Sequence, residues 1–123
     1  MGSDRKKIIA VDDNVENLGA LKNTLKSMYE VYPCPSAAKM FDILTHIKPD
    51  IILLDVEMPE TNGYEAIQKL KGGAQYKDIP VIFLTSMDDE ESRKKGIDLG
   101  AVDYIHKPID TTSLLQRVET HLS

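Results

Sequence analysis

The sequence predicts an α/β fold in which a parallel β-sheet lies between two layers of helices. Apolar runs of strand type alternate along the chain with segments of helical periodicity, which is the pattern of repeated βαβ units. Polar signatures follow four of these runs, namely Asp12-Asp13, Asp55, Thr85-Ser86 and Lys107-Pro108. Because the carboxyl ends of parallel strands share one edge of an open sheet, these side chains are expected to meet there. Five strands alternating with five helices give a doubly wound (βα)5 three-layer sandwich.

The first unit pairs the strand run at residues 8–11 with an amphipathic helix. Asp13 or Asn14 is available as the N-cap of this helix. Its apolar residues recur at helical spacing and are Val15, Leu18, Leu21, Leu25 and Met28. A weaker strand at residues 30–32 is expected to end at Pro33, as suits the edge of a sheet.

The second and third helices flank the strand that ends at Asp55. Ser36 caps the second helix, and Lys48-Pro49 closes it. The expected inner face of the second helix consists of Ala37, Met40, Phe41 and Leu44. The third helix is short and stops at Gly72-Gly73; its apolar positions are Tyr64, Ile67 and Leu70.

The fourth helix is marked by charge and the fifth by apolar spacing. Acids at residues 88–91 open the fourth helix, and bases at residues 93–95 with Gly96 close it, which complements the helix dipole at both ends. The fifth helix starts at Asp110 and runs almost to the last residue. Its apolar positions are Leu114, Leu115, Val118 and Leu122.

Length and composition fit one domain over residues 1–123, in which residues 1–6 are expected to be a disordered lead-in or a leftover of expression cloning. The net charge of −5, from 20 acidic and 15 basic residues, argues against direct nucleic-acid binding. No apolar stretch approaches the roughly 18 residues of a membrane helix, so no membrane partner is expected. Cys34 is the single cysteine and cannot form an internal disulfide, which is typical of proteins of a reducing cytoplasm. No charged residue stands beside it in the sequence to lower its pKa, so we expect an inert thiol.

Three carboxylates at one sheet edge require a counter-charge. Asp12, Asp13 and Asp55 would repel one another by roughly 4 kcal/mol per pair at about 4 Å and an effective dielectric near 20. Magnesium suits such a site because it prefers oxygen ligands and keeps positions for water and phosphate. Lys107 adds a fixed positive charge. A cation, an ammonium and a hydroxyl around one carboxylate favour attack by that carboxylate on a phosphoryl group.

An ordinary structural interpretation competes with this one. Aspartates commonly end strands and cap helices, and for Asp12 or Asp13 alone that interpretation is the better one. For all four signatures together it is weaker, because structure alone gives no reason for the amine of Lys107.

The chain resembles the receiver domain of two-component response regulators over nearly its whole length, from about Lys7 to Leu122. The motifs that carry the resemblance are Val11-Asp12-Asp13-Asn14, Leu54-Asp55-Val56-Glu57-Met58-Pro59, Asn62-Gly63-Tyr64-Glu65, the run from Ile79 to Ser86, and the run from Gly100 to Pro108. The resemblance implies a flavodoxin-like sheet of strand order 2-1-3-4-5. It also implies a cis peptide at Lys107-Pro108. Backbone permissiveness suits Gly100, between a helix and a strand, to a left-handed cap and Gly63 to a turn near the start of the third helix.

The resemblance implies a role for each matching site residue. Asp55 would be the phosphoacceptor, served by a phosphohistidine of a sensor histidine kinase or phosphotransfer protein. Asp13, Asp55 and the backbone carbonyl of Glu57 would hold Mg²⁺, and Asp12 would position a metal-bound water. Lys107 would pair with the phosphoryl oxygens.

The resemblance implies a switch as well. Thr85 would move to hydrogen-bond the phosphoryl group, and Tyr104 would turn inward into the vacated space. The surface formed by the fourth helix, fifth strand and fifth helix would then act on an output domain or protein.

Two other classes of function stay open at this stage. The chain could be an interaction module of the same fold that is never phosphorylated, although Asp13, Asp55, Thr85 and Lys107 argue against it. It could also be a magnesium phosphohydrolase with an acid two residues after its nucleophile, as Glu57 stands after Asp55. Against this, the length leaves no room for a cap domain.

Overall fold

The computed structural model describes residues 5–58, 62–87 and 89–122, and it has the predicted architecture. Its elements in chain order are β1 Lys7–Val11, α1 Val15–Leu25, β2 Glu30–Cys34, α2 Ala37–Leu44, β3 Ile51–Asp55, α3 Gly63–Gly72, β4 Val81–Thr85, α4 Glu90–Asp98, β5 Asp103–His106 and α5 Thr111–Leu122. The five strands form one parallel sheet in the order β2-β1-β3-β4-β5. The doubly wound sandwich and its strand order are therefore confirmed.

The side chains of the central strands alternate between two hydrophobic cores, one on each face of the sheet. One core contains Ile9, Val11, Ile52, Leu54, Val81 and Phe83 with buried residues of α2 and α3. The other contains Ile8, Ala10, Ile51, Leu53, Ile82 and Leu84 with buried residues of α1 and α5. Since both faces of β3 and β4 are covered, all five residues of each strand are buried, as a parallel sheet requires.

The predicted site residues lie at the carboxyl edge of this sheet. Asp12 follows β1, Asp55 ends β3 and Thr85 ends β4. Lys107 follows β5, and its backbone N–H donates to the carbonyl of Thr85 at 2.8 Å. The strand order reverses between β1 and β3, which is where ligands bind in open α/β sheets.

The first helix is shorter than its apolar spacing indicated. Asn14 is its N-cap, and the helix ends at Leu25. Val15, the first residue of the helix, is 77% exposed, and Met28 is 49% exposed because the chain has already left the helix. The predicted inward positions of Val15 and Met28 are therefore wrong, whereas Leu18, Leu21 and Leu25 are buried as expected.

Three predicted element ends are also wrong. α2 ends at Leu44 with Thr45 as its C-cap, before the expected stop at Lys48-Pro49. β2 continues through Pro33 to Cys34, which an edge strand tolerates because a missing backbone donor costs little there. α4 continues past Gly96 to Asp98. A Cβ at Gly96 would lie 2.8 Å from the ring of Phe83, so this glycine lets the helix approach the sheet.

Other details follow the predictions more closely. Ser36 caps α2, whose buried residues are Ala37, Met40 and Leu44, with Phe41 partly buried. Gly100 has φ +116°, and Lys107-Pro108 is cis. Burial raises the pKa of Cys34 to about 11, in agreement with an inert thiol.

Some predictions concern residues that lie outside the described ranges. Of the residues named above, these are Met1 to Asp4, Pro59 and Asp88. Of the expected lead-in at residues 1–6, Arg5 and Lys6 are described. The Arg5 guanidinium donates to the carbonyl of Lys26 at 2.8 Å. Over the described ranges, the helices are all too short or too polar to cross a bilayer.

Candidate functional site

Asp55 lies at the centre of the site and is only 1% exposed. Its Oδ1 accepts hydrogen bonds from Lys107 Nζ at 3.0 Å and from the backbone N–H of Glu57 at 3.3 Å. Its Oδ2 is buried and has no hydrogen-bond partner among the described residues. Burial raises the pKa of this carboxyl to about 7; the Lys107 hydrogen bond opposes the shift, and the charge of Asp12 adds to it. One oxygen of Asp55 is thus held in place while the other is available for a ligand.

Lys107 joins the carboxylates of two neighbouring strands. Its ammonium lies 3.0 Å from Asp55 Oδ1 and 3.1 Å from Asp12 Oδ2. Burial would lower the pKa of Lys107, but the hydrogen bonds and charges of the two aspartates outweigh that effect and raise it. The ammonium is therefore charged at neutral pH and offsets part of the acidic excess.

Asp12 is fully buried and is satisfied by protein donors. Its Oδ1 accepts from the backbone N–H of Asn14 at 2.9 Å. Its Oδ2 accepts from Lys107 and, at 3.3 Å, from the side-chain amide of Asn17. This carboxylate is consequently fixed in orientation.

Asp13 completes an acidic cluster and is exposed at its rim. One oxygen each from Asp12, Asp13 and Asp55 lie within 4.8 Å of one another. Two opposite ligands of Mg²⁺, each about 2.1 Å from the ion, are about 4.2 Å apart. The spacing of the three carboxylate oxygens is close to this value, so small side-chain rotations would let the cluster bind a Mg²⁺ ion. The buried Oδ2 of Asp55, which has no hydrogen-bond partner in the described part of the chain, also fits a cation ligand. The residues present therefore fit a magnesium site.

The donors at the end of β4 all point to the side chain of Glu57. The buried Thr85 hydroxyl donates to Glu57 Oε1 at 2.7 Å. The backbone N–H and the hydroxyl of Ser86 each donate to the same oxygen at 3.0 Å. Burial would raise the pKa of Glu57, but these hydrogen bonds outweigh it and lower the pKa, so the carboxylate is ionised.

Tyr104 on β5 is 9% exposed and packs in the same core as Phe83. The guanidinium carbon of Arg93, on α4, is 5.2 Å from the centre of its ring. The ring thus already lies inward in this structure and contacts the helix that follows β4.

The structure brings together every predicted site residue at one edge except Tyr104, which lies within β5, opposite Phe83 of β4. Sequence reasoning missed the amide of Asn17, and it considered only the backbone carbonyl of Glu57 as a ligand. Asn17 lies one helical turn after the cap, and its spacing from Asp12 would have suggested the contact. Nothing in the sequence indicates where the side chain of Glu57 turns.

Gly63 lies at the helix start, as expected, but it serves close packing and not a turn. It is the first residue of α3, and its N–H donates to the carbonyl of Val56 at 2.9 Å. A Cβ there would lie 2.5 Å from the carbonyl oxygen of Asp55 and 2.8 Å from Cα of Val56. This glycine therefore allows α3 to pack directly against the backbone that carries Asp55.

Comparison with known proteins gives relatives along almost the whole chain. The family model described as response regulator receiver domain matches residues 8–119. A probable cyclic di-GMP phosphodiesterase of Vibrio cholerae is 39% identical over 115 residues, which is 94% of this chain but 26% of that protein. The chain thus spans about a quarter of this curated relative.

Solved structures agree. The chemotaxis protein CheY4 of Vibrio cholerae has a TM-score of 0.91 at 28% identity, covering 96% of this chain and 99% of CheY4. The BeF3-activated receiver domain of DrrB has a TM-score of 0.87 at 30% identity, covering 96% of this chain and 97% of that one. With the family match and the acidic edge, these likenesses show that the chain belongs to the response regulator receiver domain family.

Proposed function

We propose that this chain accepts a phosphoryl group on Asp55 from a phosphohistidine, in a reaction that depends on Mg²⁺. The observation that supports this most strongly is the state of the two Asp55 oxygens. Oδ1 is held by Lys107 and the Glu57 N–H, while the buried Oδ2 has no partner among the described residues. A carboxylate that is oriented through one oxygen, with no described partner at the other, is suited to bind a cation and to accept a phosphoryl group.

The acidic cluster supplies the metal ligands in this proposal. Asp13, Asp55 and the backbone carbonyl of Glu57 would hold Mg²⁺, and Asp12 would orient a water bound to it. When bound, the ion would neutralise charge on the transferred phosphoryl oxygens. Lys107, which contacts Asp55 and Asp12, would contribute the second positive charge. Without that compensation, an incoming phosphoryl anion would meet three carboxylates.

The transfer needs no additional residue. A carboxylate oxygen of Asp55 forms the new O–P bond as the N–P bond of the phosphohistidine breaks, and the bonding pair stays on the imidazole nitrogen of the donor. The protein catalyses its own modification and turns over no external substrate, which agrees with the role of receiver domains as signalling phosphoacceptors.

Readout would pass through β4 and β5. The Thr85 hydroxyl would give up its present acceptor and donate to the phosphoryl group. Tyr104 with Arg93 would carry the change to the surface of α4, β5 and α5. The partners on this proposal are a sensor histidine kinase or phosphotransfer protein, and an output domain or protein. A cytoplasmic site of action suits such partners and the reduced Cys34.

A direct test is to incubate the chain with a small phosphodonor such as acetyl phosphate. We expect a mass gain of one phosphoryl group that requires Mg²⁺ and is released by hydroxylamine, as an acyl phosphate should be. Asp55→Asn should abolish it, and Asp50→Asn, which changes another aspartate at the opposite end of β3, should not. Absence of the modification in the unaltered chain would favour the alternative, an interaction module of receiver fold that is not phosphorylated.

A further inference from the structure

The side chain of Glu57 occupies the donors that a phosphoryl group on Asp55 would use. Oε1 accepts from the Thr85 hydroxyl, the Ser86 N–H and the Ser86 hydroxyl, and Oε2 lies 3.0 Å from the same Ser86 hydroxyl. Three donors on one anionic oxygen form the arrangement that usually receives an oxyanion. Here an anion from the chain itself fills it.

These donors cannot serve two anions at once. The hydroxyl of Thr85 has a single proton, and so does the backbone N–H of Ser86. Both protons are committed to Glu57, and Thr85 Oγ1 already accepts the N–H of Met87 at 3.0 Å. A phosphoryl oxygen can gain the Thr85 hydroxyl only if the carboxylate of Glu57 gives it up.

Glu57 is placed so that it can leave. It is exposed, although the Thr85 that it contacts is fully buried, so the released carboxylate would be hydrated by solvent. Like charge adds a reason to leave, because a phosphoryl group two residues away would repel the carboxylate at short range.

We propose that Glu57 is an internal competitor of the phosphoryl group: its carboxylate holds the Thr85 and Ser86 donors in the unmodified protein and is displaced when Asp55 is modified. This inference rests on the proposed function. It makes Glu57 a positioning residue that keeps the unmodified state in one arrangement and weakens the binding of the phosphoryl group, since that group must first displace it.

The test measures how tightly beryllofluoride, a phosphoryl analogue, binds at saturating Mg²⁺. The variants are Glu57→Ala, which removes the competitor, and Glu57→Gln, which keeps the shape and removes the charge. Glu119→Gln is the matched control, because Glu119 is exposed on α5 near its C-terminal end, which lies at the opposite edge of the sheet. Amide spectra would establish that each variant is folded.

We expect beryllofluoride to bind Glu57→Ala at least tenfold more tightly than the unaltered chain, because one charge-assisted hydrogen-bond set no longer has to be broken. Glu57→Gln should show a smaller gain in the same direction, and Glu119→Gln none. Exchange of the Ser86 amide proton should also be faster in Glu57→Ala before the analogue is added.

Unchanged or weaker binding of beryllofluoride by both Glu57 variants would overturn the proposal. If Glu57 had only a structural role, truncating it would not strengthen the binding of beryllofluoride. Unchanged exchange at Ser86 would overturn it too. If the unaltered chain binds no beryllofluoride even with Mg²⁺, the proposed function itself fails and the inference falls with it. That result differs from a failure of the inference alone, in which the unaltered chain binds and the variants match it.

Discussion

Replacing Gly63 by alanine tests how closely α3 must approach the backbone of the phosphoacceptor strand. The added Cβ would lie 2.5 Å from the Asp55 carbonyl oxygen, 2.8 Å from Val56 Cα and 3.1 Å from the Asp55 carbonyl carbon. All three are backbone atoms, so no side-chain rotation can relieve the overlap. We expect Gly63→Ala to lower the free energy of unfolding by about 3 kcal/mol, the upper end for overpacking. In a domain of this size that corresponds to a fall in Tm of roughly 10 °C.

Urea and thermal unfolding followed by circular dichroism measure this change. Gly19→Ala is the matched control, because Gly19 is exposed within α1 and, apart from neighbouring backbone of the helix itself, no atom of the described residues lies within 4 Å of its added Cβ. The free energy of unfolding of that variant should rise by about 0.5 to 1 kcal/mol, since alanine is the better helix former.

Gly63→Ala should also weaken Mg²⁺ binding, because Asp55 must move with its carbonyl. A Gly63→Ala protein as stable as the unaltered chain would refute the close-approach argument.

Three further outcomes are expected. Cys34, with its pKa raised to about 11 by burial, should react with a thiol reagent at neutral pH only after denaturation; rapid labelling of the folded chain would contradict this. Burial raises the pKa of Asp55 from 3.8 to about 7. Between these two pH values, the metal-free folded state holds a proton that the unfolded state has lost. The free energy of unfolding, measured in EDTA, should therefore fall by up to about 1 kcal/mol per pH unit as the pH rises through this window. Asp55→Asn should remove that part of the slope in urea titrations, and an equal slope would contradict the assignment. Gly96→Ala should lower the free energy of unfolding by about 1 kcal/mol, less than Gly63→Ala, because the added Cβ meets a side-chain ring and not backbone, and alanine favours the helix; a larger loss than at Gly63 would contradict this.

The sequence predicted the fold well because the alternation of buried strands and amphipathic helices leaves few arrangements. Fully apolar strands need cover on both faces, and short connections with right-handed crossovers then limit the topology. Spacing was less informative at helix ends. Val15 and Met28 continue the period of α1, but Val15 is the exposed first residue of the helix and Met28 lies beyond its end at Leu25. Gly96 looked like a terminator because a glycine packed against a ring cannot be told from a C-cap by sequence.

The position of the site was predictable for a related reason, whereas its internal contacts were not. Strand ends in a parallel sheet meet at one edge, so Asp12, Asp55, Thr85 and Lys107 had to be neighbours. The orientation of Glu57 depends on three donors from another strand and on solvent access, and neither is written in the spacing along the chain. The local sequence pattern determines at which edge of the sheet a residue lies. Hydrogen-bond donors from distant parts of the chain determine how its side chain is oriented.

The site therefore consists of two parts that respond differently to an added anion. Lys107 has three ammonium protons and uses two hydrogen bonds, to Asp55 and Asp12, so it can bind a phosphoryl oxygen in addition to its present contacts. Thr85 has one proton and can bind that oxygen only by exchange with Glu57. Rearrangement on modification should consequently arise on the β4 side of Asp55, where a bond must be broken. The β1 side, where Asp12 is fully satisfied, should stay as it is.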